Sequence, residues 1–169
     1  ILRPKEIVAM SRSPGSGRLY ALDEEGGLLE EKCESGESQD LNLQVPFRAR
    51  DLAFDPVAET LYLLGTNGLE LQRLGLETGK LRLVLRLEEP ARGVAWDAES
   101  SALLLAGDGL SKLKPNDPSP QPLEHSVSFA GPVALGSGRE LVGLSSDGSR
   151  LQSLDLRTGK SRFIEPILK

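Results

Sequence analysis

The sequence predicts an all-β protein, and three features of its 169 residues support that fold class. A short apolar pattern around an alanine recurs four times, a second apolar run follows each copy, and a glycine-containing turn follows each second run. Glycine and proline interrupt the chain too often for capped helices of 3.6-residue period. Four copies of one order of strands and turns favour a radial array over a β-sandwich. We therefore predict a β-propeller of four repeats, in which each repeat is a four-stranded antiparallel blade.

The first strand of each blade is predicted at the recurring alanine. The alanines follow one another at 44, 42 and 39 residues, and they are Ala9, Ala53, Ala95 and Ala134. This spacing is near the period of about 40 residues that is typical of propeller blades. The surrounding segments are short and carry few charges, as strands beside a crowded central axis require. We divide one domain, residues 1–169, into blades at approximately residues 5–46, 47–89, 90–129 and 130–166.

The second and third strands of each blade are predicted to form a hairpin. A short turn motif with glycine separates their apolar runs in every repeat. The four turns are Glu25-Gly26-Gly27, Asn67-Gly68, Asp108-Gly109 and Asp147-Gly148. Asn-Gly and Asp-Gly between apolar runs indicate a type I′ turn, because that turn needs positive φ.

The outermost strand is clearest at residues 81–87, where leucines alternate with Arg82, Val84 and Arg86. One face of this strand is therefore apolar and the other mostly polar. A polar Thr-Gly-Lys turn precedes the strand at residues 77–80, and a matching turn occurs at residues 157–160. Repeat three has a proline-rich stretch there instead, which we predict to be an extended and exposed surface loop over residues 115–122.

Two segments of the sequence resemble the blades of bacterial YVTN, NHL and quinoprotein-like propellers, which are WD40-like in architecture. The first is Phe54-Asp55-Pro56 followed by residues 59–62, and the second is the Leu-Asp-Leu-Arg-Thr-Gly-Lys of residues 154–160. Both are similar to the inner and outer turns of those blades, and the resemblance covers essentially the whole chain. It implies a propeller without implying one function, because such propellers include enzymes, adaptors and assembly factors.

The sequence departs from two of these groups. The Gly-His and Trp-Asp pair of WD40 blades is missing, and the single Trp96 does not supply the repeated tryptophan of quinoprotein blades. No cofactor is therefore implied.

Composition excludes several classes of partner from the prediction. A net charge of -5 and 4% aromatic residues argue against a nucleic-acid partner. No apolar run is long enough to span a membrane. Scarce Asn, Cys and Met fit a heat-adapted bacterial source. The start at Ile1 suggests a processed chain or an excised piece, and the compartment stays open, with an extracytoplasmic location in a bacterium favoured.

We expect no catalytic residues and no metal site. The lone Cys33 is interpreted as buried filler, and the only histidine, His125, as a solvated residue at a strand end. Asp55 and Asp97 each follow a phased alanine by two residues. We predict that these carboxylates accept backbone N–H groups and fix the next loop, with metal binding as the alternative.

One candidate binding site lies where the strands of the predicted propeller begin. Arg50 and Arg92 precede their alanines by three residues, and Glu6 holds the same position in repeat one. Two arginines and a carboxylate around one mouth suit an anionic group or a peptide carboxylate.

The preferred function is a non-enzymatic binding or assembly module that presents a rigid propeller face to a protein or peptide. The alternatives are a hydrolase or lactonase-like enzyme with a divalent metal at the channel mouth, and a structural or truncated fragment. Four blades close into a small ring, or two chains form a homodimeric eight-bladed ring. An open arc would expose apolar blade faces and should associate.

Overall fold

The computed structural model describes residues 6–12, 17–46, 48–125, 127–136 and 138–164. Within these ranges the chain forms sixteen strands and no helix, and the strands make four antiparallel sheets of four. Blade 1 contains β1 (Ile7–Arg12), β2 (Arg18–Asp23), β3 (Gly27–Lys32) and β4 (Glu37–Gln44); blade 2 contains β5 (Ala49–Asp55), β6 (Thr60–Gly65), β7 (Glu70–Gly75) and β8 (Leu81–Arg86). Blade 3 contains β9 (Gly93–Asp97), β10 (Ala102–Ala106), β11 (Leu110–Leu113) and β12 (Gln121–Pro122); blade 4 contains β13 (Phe129–Leu135), β14 (Glu140–Ser145), β15 (Leu151–Asp155) and β16 (Ser161–Ile164).

The four sheets are arranged as a four-bladed propeller, as the repeat predicted. Strands within each sheet are hydrogen-bonded in chain order. The first strand of each blade is innermost, because β1 packs against β5, β5 against β9, and β9 against β13. Among the described strands, no comparable packing joins β13 back to β1. Consecutive blades bury the sides that they turn toward each other. In the first and in the last blade, one side therefore has no neighbouring blade packed on it in this way.

In blades 2 and 3 the apolar runs are continuous because neighbouring blades cover both faces of the inner strands. In β6, Leu61 and Leu63 pack toward blade 1, whereas Tyr62 and Leu64 pack toward blade 3. Successive side chains of a strand point to opposite faces, so burial on both sides requires an unbroken apolar sequence. Leucines alternate with more polar positions in the outer strand β8, where one side meets solvent.

The outer strand of blade 3 is only two residues long. Gln121 and Pro122 pair with Lys112 and Ser111 of β11. Proline has no N–H to donate to a ladder, so the proline-rich sequence limits pairing at this edge. The rest of residues 115–122 is irregular and partly exposed, which confirms a surface loop. The loop is not extended throughout, because the Asp117 N–H donates to the Lys114 carbonyl oxygen at 3.0 Å in a turn.

The predicted hairpins are present, but the predicted turn type is wrong. Only the glycine of each turn has positive φ in three of the blades, at +87° for Gly26, +74° for Gly68 and +70° for Gly148. The N–H of each glycine donates to the carbonyl oxygen three residues earlier, at 2.7 to 3.0 Å. These contacts describe a type I turn followed by a left-handed glycine, which is the three-residue hairpin connection. Gly109 does not adopt positive φ, so the turn of blade 3 differs from the others.

Candidate binding face at the strand starts

One end of the propeller, here called the upper face, combines the links between blades with the turns between second and third strands. The link entering blade 2 is tied to the blade 1 turn by the Val45 N–H, which donates to the Gly26 carbonyl at 2.8 Å. The link entering blade 3 repeats this contact, with the Ala91 N–H and the Gly68 carbonyl 2.9 Å apart. A side chain at either glycine would collide with the carbonyl oxygen of Val45 or Ala91. The glycines are therefore required by close backbone approach as well as by φ.

Two grooves open on the upper face. The larger has a volume of about 840 Å³ and lies between blades 1 and 2. Its walls combine apolar side chains with charges of both signs, including Leu22, Val45, Glu24, Glu25, Arg48 and Arg50. The smaller, of about 320 Å³, lies beside blade 3, between residues 87–91, residues 105–111 and two prolines of the proline-rich loop.

Arg50 and Arg92 occupy equivalent positions, as their phase predicted. The Arg50 Nη1 lies 3.5 Å from the carbonyl oxygen of Ala91 in blade 3. In the same way, the Arg92 Nη1 lies 3.5 Å from the carbonyl oxygen of Phe129 in blade 4. Each guanidinium therefore reaches the backbone at or just before the first strand of the following blade.

The surroundings of the two arginines differ. Arg92 forms an ion pair with Asp108 in the blade 3 turn, with Nη2 and Oδ1 2.7 Å apart. Arg50 is half-buried and lines the larger groove, and no carboxylate in the described part of the chain lies within ion-pairing distance of it. Arg50 is therefore the more available cation of the pair.

Glu6, the third predicted site residue, is exposed at the start of β1. Its carbonyl oxygen accepts the Glu24 N–H at 2.9 Å, so its backbone supports the rim of the larger groove. Within the described ranges, its carboxylate forms no hydrogen bond or ion pair with Arg50 or Arg92.

A buried carboxylate that the sequence analysis did not identify lies next to Arg50. Asp51 is only 2% exposed. Its Oδ1 accepts the Leu52 N–H at 2.9 Å, and its Oδ2 accepts the N–H of Val94 at 2.8 Å and, at 3.4 Å, that of Val133. One side chain thus joins blades 2, 3 and 4 near the axis. Burial raises the pKa of Asp51 to about 7, although the hydrogen bonds and the Arg50 charge oppose that shift.

A sequence signal for Asp51 does exist. The position two residues before the phased alanine holds the uncharged Ile7, Gly93 and Pro132 in the other repeats. A carboxylate in a strand that is apolar in every other repeat therefore indicates a specific buried partner.

At the opposite end of the propeller, Asp55 and Asp97 fix loops as predicted. The Asp55 Oδ1 accepts the N–H groups of Val57 and Ala58 at 2.9 and 3.2 Å. The Asp97 Oδ1 accepts the Glu99 N–H at 3.2 Å, and its Oδ2 lies 2.7 Å from the Arg139 Nη2. In the described residues no three His, Cys, Asp or Glu side chains are grouped to hold a metal ion.

Two minor predictions are corrected. Cys33 is exposed in the turn after β3, where no core surrounds it. His125 is half-buried rather than solvated, and its imidazole lies against the turn at Gly159.

Comparison with solved structures supports the fold. No protein-family profile and no curated protein matches the chain. The chain is similar to a structure from a nidogen/laminin complex, with 17% identity, a TM-score of 0.68, and coverage of 93% of this chain and 62% of that one. It is also similar to a structural genomics protein of unknown function from Bacteroides thetaiotaomicron, with 16% identity, a TM-score of 0.71, and coverage of 91% and 46%. The WD40 repeats of RRP9 match at 9% identity and a TM-score of 0.61, over 96% of this chain and 52% of that one.

The chain has the β-propeller fold. It spans between about half and three-fifths of the length of the chains that it matches. The predicted resemblance to propeller blades is thereby confirmed, whereas a bacterial, heat-adapted source stays a prediction. The described part of the chain contains no helix that is long and apolar enough to cross a membrane.

Proposed function

We propose that this propeller is a non-enzymatic binding or assembly module that holds a protein or peptide on its upper face. The observation that carries the proposal is the larger groove, in which a half-buried arginine without a carboxylate partner among the described residues lies beside apolar walls. The fold supports it, because the similar structures include a propeller in a protein complex and a set of WD40 repeats.

The groove suits an extended peptide that carries a carboxylate. Val8 and Pro46 are exposed and supply apolar contact area, whereas the buried Leu22, Val45 and Ala49 lie at the base of the groove. Arg50 supplies planar donors for a carboxylate, and partial burial strengthens such charge-assisted hydrogen bonds. On the blade 1 side, Glu24 is exposed, and its carboxylate favours a basic residue elsewhere in the same peptide.

The first prediction concerns Arg50. A library of peptides with carboxylate side chains or free carboxyl termini, screened by fluorescence anisotropy, should yield binders that Arg50→Ala weakens by about 10-fold to 100-fold. The matched control is Arg82→Ala, because Arg82 is exposed on the outer strand of blade 2, away from the groove. Equal affinity of the wild type and both variants would contradict the proposal.

The combined variant tests the predicted site as a whole. Arg50→Ala with Arg92→Ala should weaken binding no more than slightly beyond Arg50→Ala alone, because Asp108 already pairs with Arg92. Glu6→Gln should change affinity little, because its backbone rather than its carboxylate contacts the groove rim. Unchanged binding in the double variant would remove these residues from the function.

The alternative, a hydrolase or lactonase-like enzyme, can be tested directly by its metal content. Metal analysis of the purified chain should detect no stoichiometric Ca²⁺ or Zn²⁺, and a tightly held metal would favour a hydrolase instead. A second copy of the chain also stays a predicted partner, because the first and last of the described blades each keep one uncovered side.

A further inference from the structure

We propose that blade 2 carries a binding site for a phosphomonoester group, formed by the Tyr62 hydroxyl and the guanidinium groups of Arg73 and Arg82. The three residues lie side by side across neighbouring strands, because Tyr62 pairs with Arg73 and Arg73 pairs with Arg82. Paired residues of an antiparallel sheet point to the same face. The site is separate from the larger groove and does not depend on the function proposed for that groove.

The two arginines are arranged unfavourably for the folded chain alone. Directly opposite residues have Cβ atoms about 4.5–5.5 Å apart, and like charges at that separation repel each other. Both side chains are exposed, and among the described residues neither forms an ion pair or a side-chain hydrogen bond. Arg86 differs, because its Nε lies 3.6 Å from the Glu70 Oε1. The charges of Arg73 and Arg82 are therefore left for a ligand to balance.

The equivalent rows of the other blades lack this pair of charges. In the described strands these rows are Tyr20, Glu30 and Gln39 in blade 1, Leu104, Lys112 and Gln121 in blade 3, and Val142, Ser153 and Arg162 in blade 4. Each of them holds at most one basic side chain. The arginine pair is thus specific to blade 2 and is not a general feature of the repeat.

The Tyr62 hydroxyl lies beside the arginines and has no hydrogen-bond partner among the described residues. The residue is only 2% exposed, and its ring stacks on Trp96 with centroids 5.7 Å apart. The hydroxyl oxygen nevertheless opens to solvent. Burial and the Asp55 charge raise the pKa of Tyr62, and the Arg73 charge opposes that rise, so this guanidinium is within electrostatic range of the hydroxyl.

The equivalent tyrosine in blade 1 has the acceptor that Tyr62 lacks. The Tyr20 hydroxyl donates to the Glu30 Oε1 at 3.2 Å. Glu30 pairs with Tyr20 in the same way that Arg73 pairs with Tyr62. A guanidinium carries only N–H donors and no acceptor. Arginine in place of the carboxylate therefore leaves three donor groups side by side, and a bound anion supplies the acceptor that they need.

The number and charge of these donors favour a phosphomonoester over a carboxylate. A phosphomonoester carries a charge of about −1.5 to −2 at pH 7 and has three strong acceptor oxygens. It can balance both arginines and also accept the hydroxyl hydrogen, whereas a carboxylate has one charge and two oxygens. Asp55 does not fill this role, because it is 5% exposed and its Oδ1 already accepts two backbone N–H groups.

Titration of the isotope-labelled chain with phenyl phosphate, in a phosphate-free buffer at about pH 7.5, tests the site, because the phosphate group is then mainly a dianion. Arginine Nε–Hε NMR signals should shift and saturate. Arg73→Gln and Arg82→Gln should each weaken binding by about 10-fold or more. Arg86→Gln is the matched control on the same strand and should leave the affinity unchanged, because Glu70 already pairs with Arg86. Signals that do not saturate, or equal weakening by Arg86→Gln, would overturn the proposal.

Tyr62→Phe separates ligand binding from folding. The variant keeps the ring that stacks on Trp96 and removes only the hydroxyl. Affinity for phenyl phosphate should fall by about 5-fold or more, whereas the urea midpoint of the ligand-free chain should not change. An unchanged affinity would contradict the site, because the hydroxyl would then not be one of its donors.

A second set of ligands identifies the anion and its source. Benzoate should bind about 10-fold more weakly than phenyl phosphate, and equal affinity would overturn the choice of phosphate over carboxylate. A phosphoserine peptide that binds more tightly than inorganic phosphate would assign a phosphorylated protein as the source. No gain over inorganic phosphate would assign a free phosphate.

The variants also distinguish this site from the larger groove. Arg50→Ala should leave phenyl phosphate binding unchanged, because Arg50 lies in the groove on the upper face. Arg82→Ala should weaken phenyl phosphate binding and leave peptide binding in the groove unchanged. Loss of phenyl phosphate binding in Arg50→Ala, with binding retained in Arg82→Ala, would place the anion in the groove and overturn the proposal.

Discussion

At the scale of single residues, Asp51 makes stability depend on pH. Its pKa is raised from 3.8 to about 7, mainly by burial. Between these two values the native chain binds more protons than the unfolded chain. The free energy of unfolding should therefore decrease as pH rises through this window, since stability falls wherever the native state holds the extra proton.

Asp51→Asn should flatten that dependence. Asparagine carries no charge and keeps one acceptor oxygen, so the slope of unfolding free energy against pH should shrink between about pH 5 and pH 7. Urea unfolding at several pH values measures the slope. Glu89→Gln, which changes an exposed carboxylate, is the control and should leave the slope unchanged. Identical slopes in wild type and Asp51→Asn would contradict the assignment.

The sequence predicted Asp55 and Asp97 but not Asp51, and the reason is the distance along the chain. Asp55 and Asp97 accept N–H groups two or three residues away, so their pattern is local. Asp51 accepts the N–H groups of Val94 and Val133, which are 43 and 82 residues away. Those partners exist only after the blades have packed.

At the scale of elements, the hairpin turn of blade 2 requires glycine at position 68 for two reasons. Gly68 has φ of +74°, and a Cβ there would collide with the Ala91 carbonyl oxygen. Gly68→Ala should therefore destabilise the protein by at least about 1–2 kcal/mol, measured by denaturant unfolding.

Gly109→Ala is the matched substitution in the next blade. Gly109 lies outside the positive-φ set, and no atom lies within 4 Å of the position its Cβ would take. Its effect should be within about 0.5 kcal/mol. An equal loss of unfolding free energy at both positions would show that the close approach of the Ala91 carbonyl is not the reason why position 68 needs glycine.

The positions of the hairpins followed from the sequence, whereas the turn type did not. Glycine between two apolar runs located each turn, because few other residues tolerate positive φ. The type depended on whether φ was positive at one residue or two. The backbone contacts with Gly26 and Gly68 come from the link that leads into the next blade. That link is not part of the two-residue turn motif, so the motif alone does not predict the contacts.

At the scale of the whole molecule, contacts between blades hold the propeller together. Tyr20 packs on Phe54 between blades 1 and 2, with ring centroids 4.6 Å apart. Tyr62 stacks on Trp96 at the equivalent place between blades 2 and 3, with centroids 5.7 Å apart. Each aromatic pair fills a seam that four-stranded sheets alone would leave open.

Trp96→Ala should destabilise the protein by about 3–5 kcal/mol, because it leaves a cavity in one seam. Thermal unfolding measures the loss. Phe163→Ala is the control, since this exposed ring contacts the Arg150 guanidinium rather than a neighbouring blade, and it should cost about 1 kcal/mol or less. A small effect at Trp96 would mean that the blades are stable independently of their contacts.

The sequence alone determined the number of blades, the order of strands, and the two arginines that share one phase. These features repeat at a fixed period, and each depends on local alternation or on a local turn. Tertiary structure decided which arginine is paired, which carboxylate is buried, and which blade faces remain uncovered. Those outcomes depend on how sheets pack around an axis, and packing brings together residues that no short stretch of sequence contains.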